Sequence, residues 1–260
     1  MTTSAGLAQL ATGMLVAFGL VLTRMAAFMA VSPVPGPTVP ARIRVGLALL
    51  LAALMSSSVP PSWIPVGVQL FAPMFGEVVV GVMIGFVFTL ALVAADVLGT
   101  SLAQSLGLTF AASYDPQQAA SVDPLTHLVT LLAMLLSFAT GAHRIVLGAL
   151  LASVHALPPG EVPPAGAFLM PLVDWLGRSV THGFSLAIPV VAVGLLVQLA
   201  VALVSRAAPQ LQVFSVGITI TLASGALVFF VGLSDLVTGL AVHVQSLAPA
   251  LERALSAQGG

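Results

Sequence analysis

"VVVGVMIGFVFTLALVAADVL", Val78–Leu98, carries one charged residue, Asp96, and otherwise only apolar and small ones. A helix rises 1.5 Å per residue, so a run of this kind reaches across the ~30 Å hydrocarbon core of a bilayer. The whole chain has this character. Of its 260 residues 59% are hydrophobic and 6% charged, and the mean hydropathy is +1.15. Soluble domains carry about 25% charged residues, so the class is an integral membrane protein. The basic residues are all arginine and the net charge is −1. No basic patch for nucleic acid follows from that, nor a lysine-rich face for lying on a membrane surface. The absence of cysteine excludes disulfides, thiolate metal sites and cysteine nucleophiles.

Outward from this run the chain divides into about six long helices, giving an all-α, polytopic membrane protein arranged as helical hairpins. The first is expected from about Leu7 to Val31, stopped by "SPVPGPTVP", whose prolines cannot continue a helix. Its start lacks the basic region of a cleaved signal peptide, so it is read as a retained helix. The second covers about Ala41 to Ser56. The third starts near Gly67 and runs toward Leu106. The fourth covers Asp123 to about His155, the fifth about Pro171 to Ser205 and the sixth about Val213 to Val244. In "VDPLTHL", Asp123 has the chemistry of an N-cap and Pro124 fits the first helical position. The short joint "SRAAPQLQ" forces antiparallel neighbours, so Leu172–Val244 is expected to form one hairpin. Pro189 is expected to kink or bend the fifth segment. The tail "LAPALERALSAQGG" is expected to fray. Arg42, Arg44 and Arg206 fall on one side of a six-span topology, which places them in the cytoplasm and both termini outside. No Pro/Gly-rich linker divides the chain, so residues 1–260 are read as one domain.

Between the third and fourth segments lies "SLGLTFAASYDPQQAASVDP", residues 105–124, with the chain's only tyrosine. Gly107 gives freedom where a helix ends. Phe110 and Tyr114 are bulky and mostly apolar, and Ala111, Ala112 and Ser113 are small enough for close packing. The pairs Asp115-Pro116 and Asp123-Pro124 hold the backbone out of helix locally. Read from residues alone, this is a connector between two helices. At membrane depth such irregular backbone is tolerated only inside protein or along an aqueous path.

Together with "SVHALPPG", "GEVVVGVMIGF" and "AIPVVAVGLLVQLAVALVSRAAPQLQVFSVG", this loop resembles the flagellar biosynthetic protein FliR family, shared with its injectisome counterparts. The likeness covers roughly Ala11 to Val244, and its most specific piece is Ser205–Gly217. It departs from the family's pattern at Gly141-Ala142-His143, Thr100 and Ser105. The resemblance implies a subunit of the type III secretion export gate in the bacterial inner membrane, within the flagellar basal body. Its partners would be FliP-like, FliQ-like and FlhB-like subunits, unfolded flagellar export substrates and membrane lipid. It also implies that residues 106–122 plug the closed channel through Gly107, Leu108, Thr109, Phe110, Tyr114, Asp115 and Pro116. Residues 7–171 would be a FliP-like part, 172–244 a FliQ-like hairpin and 245–260 a short tail. An injectisome homologue, and from another class a self-contained small-solute transporter, are the alternatives.

Other residues were weighed for chemistry. Glu77 and Asp96 lie in or near the third segment, where a carboxylate is costly. One reading is a proton relay. The reading adopted is a buried hydrogen bond to a neighbouring subunit, or a helix-end position. Asp174, Arg178 and His182 share a helical face, for partner docking or, as preferred, an intrahelical ion pair. Gly81 and Gly85 permit close helix approach, as do Gly217, Gly225 and Gly232, and are read as assembly signals. Arg206, Pro209 and Gln210 form the hairpin turn. The five histidines lack metal spacing, and His143 and His155 read as packed polar residues. With no lysine, no Gly-x-Ser-x-Gly elbow and no dinucleotide fingerprint, neither an enzyme nor a cofactor is expected.

Overall fold

A computed structural model describes residues 4–36, 39–57, 59, 71–107, 123–161, 165–207 and 213–256. Among the described residues the regular structure is helical, with no strand. The helices are α1 (Ser4–Val31), α2 (Ala41–Ser56), α3 (Phe71–Ser105), α4 (Pro124–Ala139), α5 (Ala142–Ala156), α6 (Ala165–Ala207), α7 (Val213–Val231), α8 (Leu233–Gln245) and α9 (Leu247–Ser256). Three of them are long and apolar enough to cross a membrane, and up to five spans result if α4 with α5 and α7 with α8 are each one broken span. The chain is therefore an all-α polytopic membrane protein.

Two compact units share the chain. Unit 1 holds Met1–Leu90, Gly141–Trp175 and Ser246–Gly260, and unit 2 holds Ala91–Thr140 and Leu176–Gln245. In unit 1, α3 runs parallel to α1 at very short separation. A side chain on Gly81 would strike the Arg24 carbonyl, and one on Gly85 would sit 3.0 Å from the Phe28 carbonyl oxygen. The Thr89 hydroxyl donates to the Val31 carbonyl at 2.9 Å. Around this crossing Leu20, Met25, Phe28, Met83, Ile84 and Phe88 are fully buried. Helix α2 buries only a narrow stripe, Ala48, Ala52 and Met55.

In unit 2 the core is made by Leu92, Ala95, Leu98 and Leu102 of α3, Val129 and Ala133 of α4, Ala187 and Val190 of α6, and Leu236 and Leu240 of α8. Gly183 lies against the Ala94 backbone and Gly194 against Ser105, so α3 and α6 run parallel. Gly217 meets Val201 and Gly225 meets Val190. Rising numbers in α7 face falling numbers in α6, the antiparallel hairpin expected from the short joint.

Three expectations are corrected. The fourth segment is two helices parted at Gly141, whose φ is 76°. The sixth is likewise parted at Gly232. Both breaks fall at a glycine, which is free to leave the helical region. The tail does not fray: Leu247–Ser256 is helical, with Leu247, Ala250 and Leu251 buried where α9 packs on α5. Apolar residues at that spacing form one face of a helix. Helix α6 begins at Ala165 and runs unbroken through Pro189. The start of α4 is as read, with Asp123 accepting from the Leu125 N–H and Pro124 in the first turn.

Candidate functional site

The loop is launched from a built root in unit 2. The α3 ladder closes with Leu106 N–H donating to the Leu102 carbonyl at 2.9 Å and Gly107 N–H to the Gln104 carbonyl at 3.1 Å. Gly107 has φ 71°, a left-handed conformation that stops the helix and that residues with a Cβ rarely adopt. Leu106 is buried beside Gly225 of α7. Gln198 of α6 donates to the Ser105 carbonyl at 3.4 Å. The return stem is as firmly set. Asp123 Oδ1 accepts from Leu125 N–H at 2.8 Å, and its carbonyl accepts from His127 N–H at 2.9 Å.

The two stems also cross. At Gly99 an added Cβ would lie 2.7 Å from the Thr126 Cα, and the Thr130 hydroxyl donates to Asp96 Oδ1 at 2.6 Å. That hydrogen bond is where the structure places the second carboxylate of the third segment. Of the proposed plug residues Gly107 is described here. Leu108, Thr109, Phe110, Tyr114, Asp115 and Pro116 lie outside the described residues, as do Pro209 and Gln210. Arg206 sits in the last turn of α6, where a cation suits the C-terminal carbonyls. Gly81 and Gly85 both face α1 of the same chain.

Unit 1 holds the group that sequence reasoning missed. Arg24, 1% exposed, and Glu77, 0% exposed, form a two-point ion pair, Nε to Oε2 at 2.6 Å and Nη2 to Oε1 at 3.2 Å. Nη1 donates to the Ser153 hydroxyl at 3.1 Å and Nη2 to the Leu157 carbonyl at 2.9 Å. Gly160 N–H donates to Glu77 Oε1 at 3.0 Å, from a backbone with φ 103° that only glycine holds without strain. The Gly81 contact brings α3 close enough for this pairing. Glu77 lies in the second turn of α3, near the helix end as one reading had it, and its buried partners are within the chain and not in a neighbouring subunit. The available signal was a lone arginine inside the first apolar run, in a stretch where Glu77 is the first carboxylate of the chain. A buried charge demands a buried partner.

The remaining polar candidates tie helices together. His182 and His243 stack with centroids 4.9 Å apart at 15°. The His182 Nε2–H donates to the Gly239 carbonyl at 3.0 Å, and His243 Nε2 lies 3.1 Å from the Ser179 hydroxyl. Asp174 reaches Arg253 of α9 at 3.5 Å. Among the described residues no three His, Asp or Glu side chains come together as a metal cage would need.

The chain is thus a polytopic helical membrane protein whose two bent helix pairs break at glycine. The chain belongs to the family described as bacterial export proteins, family 1, whose pattern it matches over residues 15–247. It is similar to the flagellar biosynthetic protein FliR of Escherichia coli (strain K12), 28% identical over 207 residues, covering 78% of this chain and 79% of that protein. It is 28% identical to the protein of the same name from Caulobacter vibrioides, over 84% of this chain and 88% of that one. To that of Bacillus subtilis (strain 168) it is 28% identical, over 84% and 86%.

Proposed function

We propose that this chain is a non-enzymatic subunit of the flagellar type III protein export gate in the bacterial inner membrane. In this reading it joins FliP-like, FliQ-like and FlhB-like subunits around a channel for unfolded flagellar proteins, and the 106–122 loop seals that channel at rest. Residues 7–171 act as the FliP-like part and 172–244 as the FliQ-like hairpin. The observation that carries the reading is the loop root. Gly107 ends α3 in a left-handed turn while Leu106 and Ser105 are held by α7 and α6. A seal needs fixed ends. Phe110 and Tyr114 then supply the bulk that excludes water. The loop seals by filling space and performs no bond chemistry, so the energy for export comes from a partner.

Deleting Gly107–Tyr114 tests this. In cells overproducing the whole assembly, the deletion is expected to raise membrane conductance and leakage of small solutes. Conductance equal to the parent's sinks the plug. Flagellar and injectisome versions separate by complementation: restored motility in a flagellar null strain supports the first, and restored effector secretion alone supports the second.

The small-solute transporter retains one supporting observation, the pair of helices broken at Gly141 and Gly232, since discontinuous helices mark transporter sites. Solute uptake by the lone chain in liposomes would favour it over the gate.

A further inference from the structure

Three arginines and no carboxylate precede Glu77 in the chain. Arg24 takes Glu77, which leaves Arg42 and Arg44 at the start of α2 in no ion pair among the described residues. Beside Arg44 the α1–α2 pair leaves a groove of about 160 Å³, lined by Ala26, Met29 and Ala30 of α1 and by Ala41, Arg44, Val45 and Ala48 of α2. The Arg44 Nε is shut off from solvent there and has no hydrogen-bond partner. A guanidinium keeps its charge and all its donors at any relevant pH. The groove therefore offers an apolar strip, mostly alanine, that ends at a cation with no ion-pair partner among the described residues. Around it Ile43, Val45, Leu47, Leu50 and Leu54 are exposed, which fits hydrocarbon on the outer side of α2.

We propose that this groove binds one anionic phospholipid, with the phosphate at Arg44 and an acyl chain laid along the alanines. The occupant must bring an anion and an apolar chain joined together. A free phosphate would answer Arg44 and leave the strip empty. A peptide would bring backbone polar groups that the strip leaves unpaired. Phospholipid surrounds the protein and brings both parts. Arginine-bearing helix ends favour the cytoplasmic leaflet, where anionic lipids gather and basic pockets between helices take their headgroups. Arg42, two residues from Arg44, points to another side of α2. It adds general attraction at headgroup depth and does not form the seat. The proposal rests on membrane embedding alone and stands apart from the export reading.

The test is native mass spectrometry of the full chain in neutral detergent, offered palmitoyl-oleoyl phosphatidylglycerol or the matching phosphatidylcholine. One phosphatidylglycerol is expected to be retained, with a preference of roughly fivefold, the worth of one basic group near anionic lipid. Arg44→Gln is expected to abolish the preference and Arg42→Gln to reduce it by less than half. Ala30→Phe fills the groove from an exposed position with both arginines intact, and is expected to release the lipid. Circular dichroism checks that each variant is folded, and the Ala30 arm decides the matter if Arg44→Gln does not purify. Equal retention of the two lipids overturns the proposal. So do equal losses in the two arginine variants, which would mean diffuse attraction, and displacement by millimolar inorganic phosphate, which would mean an anion site only. An Ala30→Phe chain that keeps its lipid overturns it as well.

Discussion

The two ends of α3 are held by different physics. Near its start, in unit 1, polar contacts reach far along the chain: Glu77 answers Arg24 and Gly160, and Arg24 reaches Ser153 and Leu157. Near its end, in unit 2, the hydroxyls of Thr100, Ser101 and Ser105 bond back to the Asp96, Val97 and Ser101 carbonyls one turn earlier. Such local bonds slightly weaken a helix and let it bend. Among the described residues, apolar packing, the Asp96–Thr130 bond and the Gln198 contact hold the last turns. The base of α3 is locked by a buried ion pair, and its last turns by packing and single hydrogen bonds. The ion pair also assigns the buried carboxylate a fixed structural role.

Breaking the lock should produce the largest effect in the molecule. Glu77→Gln leaves the Arg24 guanidinium charged, buried and half answered, and removing one partner of a buried pair costs about 3–5 kcal/mol. The expected result is a large drop in thermal midpoint and in folded yield from detergent. Replacing both residues, Arg24→Met with Glu77→Leu, should recover most of the loss, because two apolar groups of similar volume demand no desolvation. By contrast Ser101→Ala and Ser105→Ala should each stay within about 0.5 kcal/mol. A Glu77→Gln protein of normal stability that assembles but cannot export would instead restore the proton-relay reading.

Close packing can be probed on both sides of the comparison. At Gly81 a Cβ would collide with the Arg24 carbonyl, and at Gly183 with the Ala94 carbonyl, while Gly148 faces open space. Backbone cannot retreat as a side-chain tip can, so Gly81→Ala and Gly183→Ala should each cost about 1–3 kcal/mol. Gly148→Ala should be neutral or stabilise by up to ~1 kcal/mol, since alanine is the better helix former. Equal midpoints for all three variants would show that α3 does not pack as described at either end.

How much of this was readable depends on the range of the signal. Residues 78–98 declare their helix through an unbroken apolar run, and Asp123-Pro124 declares a helix start through chemistry confined to three residues. Both readings match the structure. Gly141 and Gly232 break helices between long apolar runs, so a reading based on those runs bridges them. The polar residues that follow, His143 with Arg144 and Ser234 with Asp235, were the available signal. In the tail, Leu247, Ala250 and Leu251 have helical spacing, a signal confined to one short segment and settled only by its packing on α5. Arg24 and Glu77 are 53 positions apart. Nothing local connects them, and an arginine in an apolar run gains meaning only once its partner is known. Phe110 and Tyr114, proposed to fill the passage, lie outside the described residues.

The loop root gives a modest expected change in stability and the sharpest test of how the loop is anchored. Gly107→Ala places a Cβ in a left-handed turn, at a cost of about 1–2 kcal/mol. Asp123→Ala leaves a first-turn N–H unanswered, at about 1 kcal/mol. The two sites sit on separate stems and share no hydrogen bond, so the double variant should show nearly the sum. Neither change touches the Arg24–Glu77 lock, and assembly should persist in both. What should change is the seal. A loop whose ends have shifted no longer fills the constriction, so ion conductance should rise in both variants while Gly148→Ala stays at the parent's level. If conductance instead follows the stability ranking, with Gly81→Ala leaking most, then leakage reports general loosening of the bundle and the loop root has no special part in closing the passage.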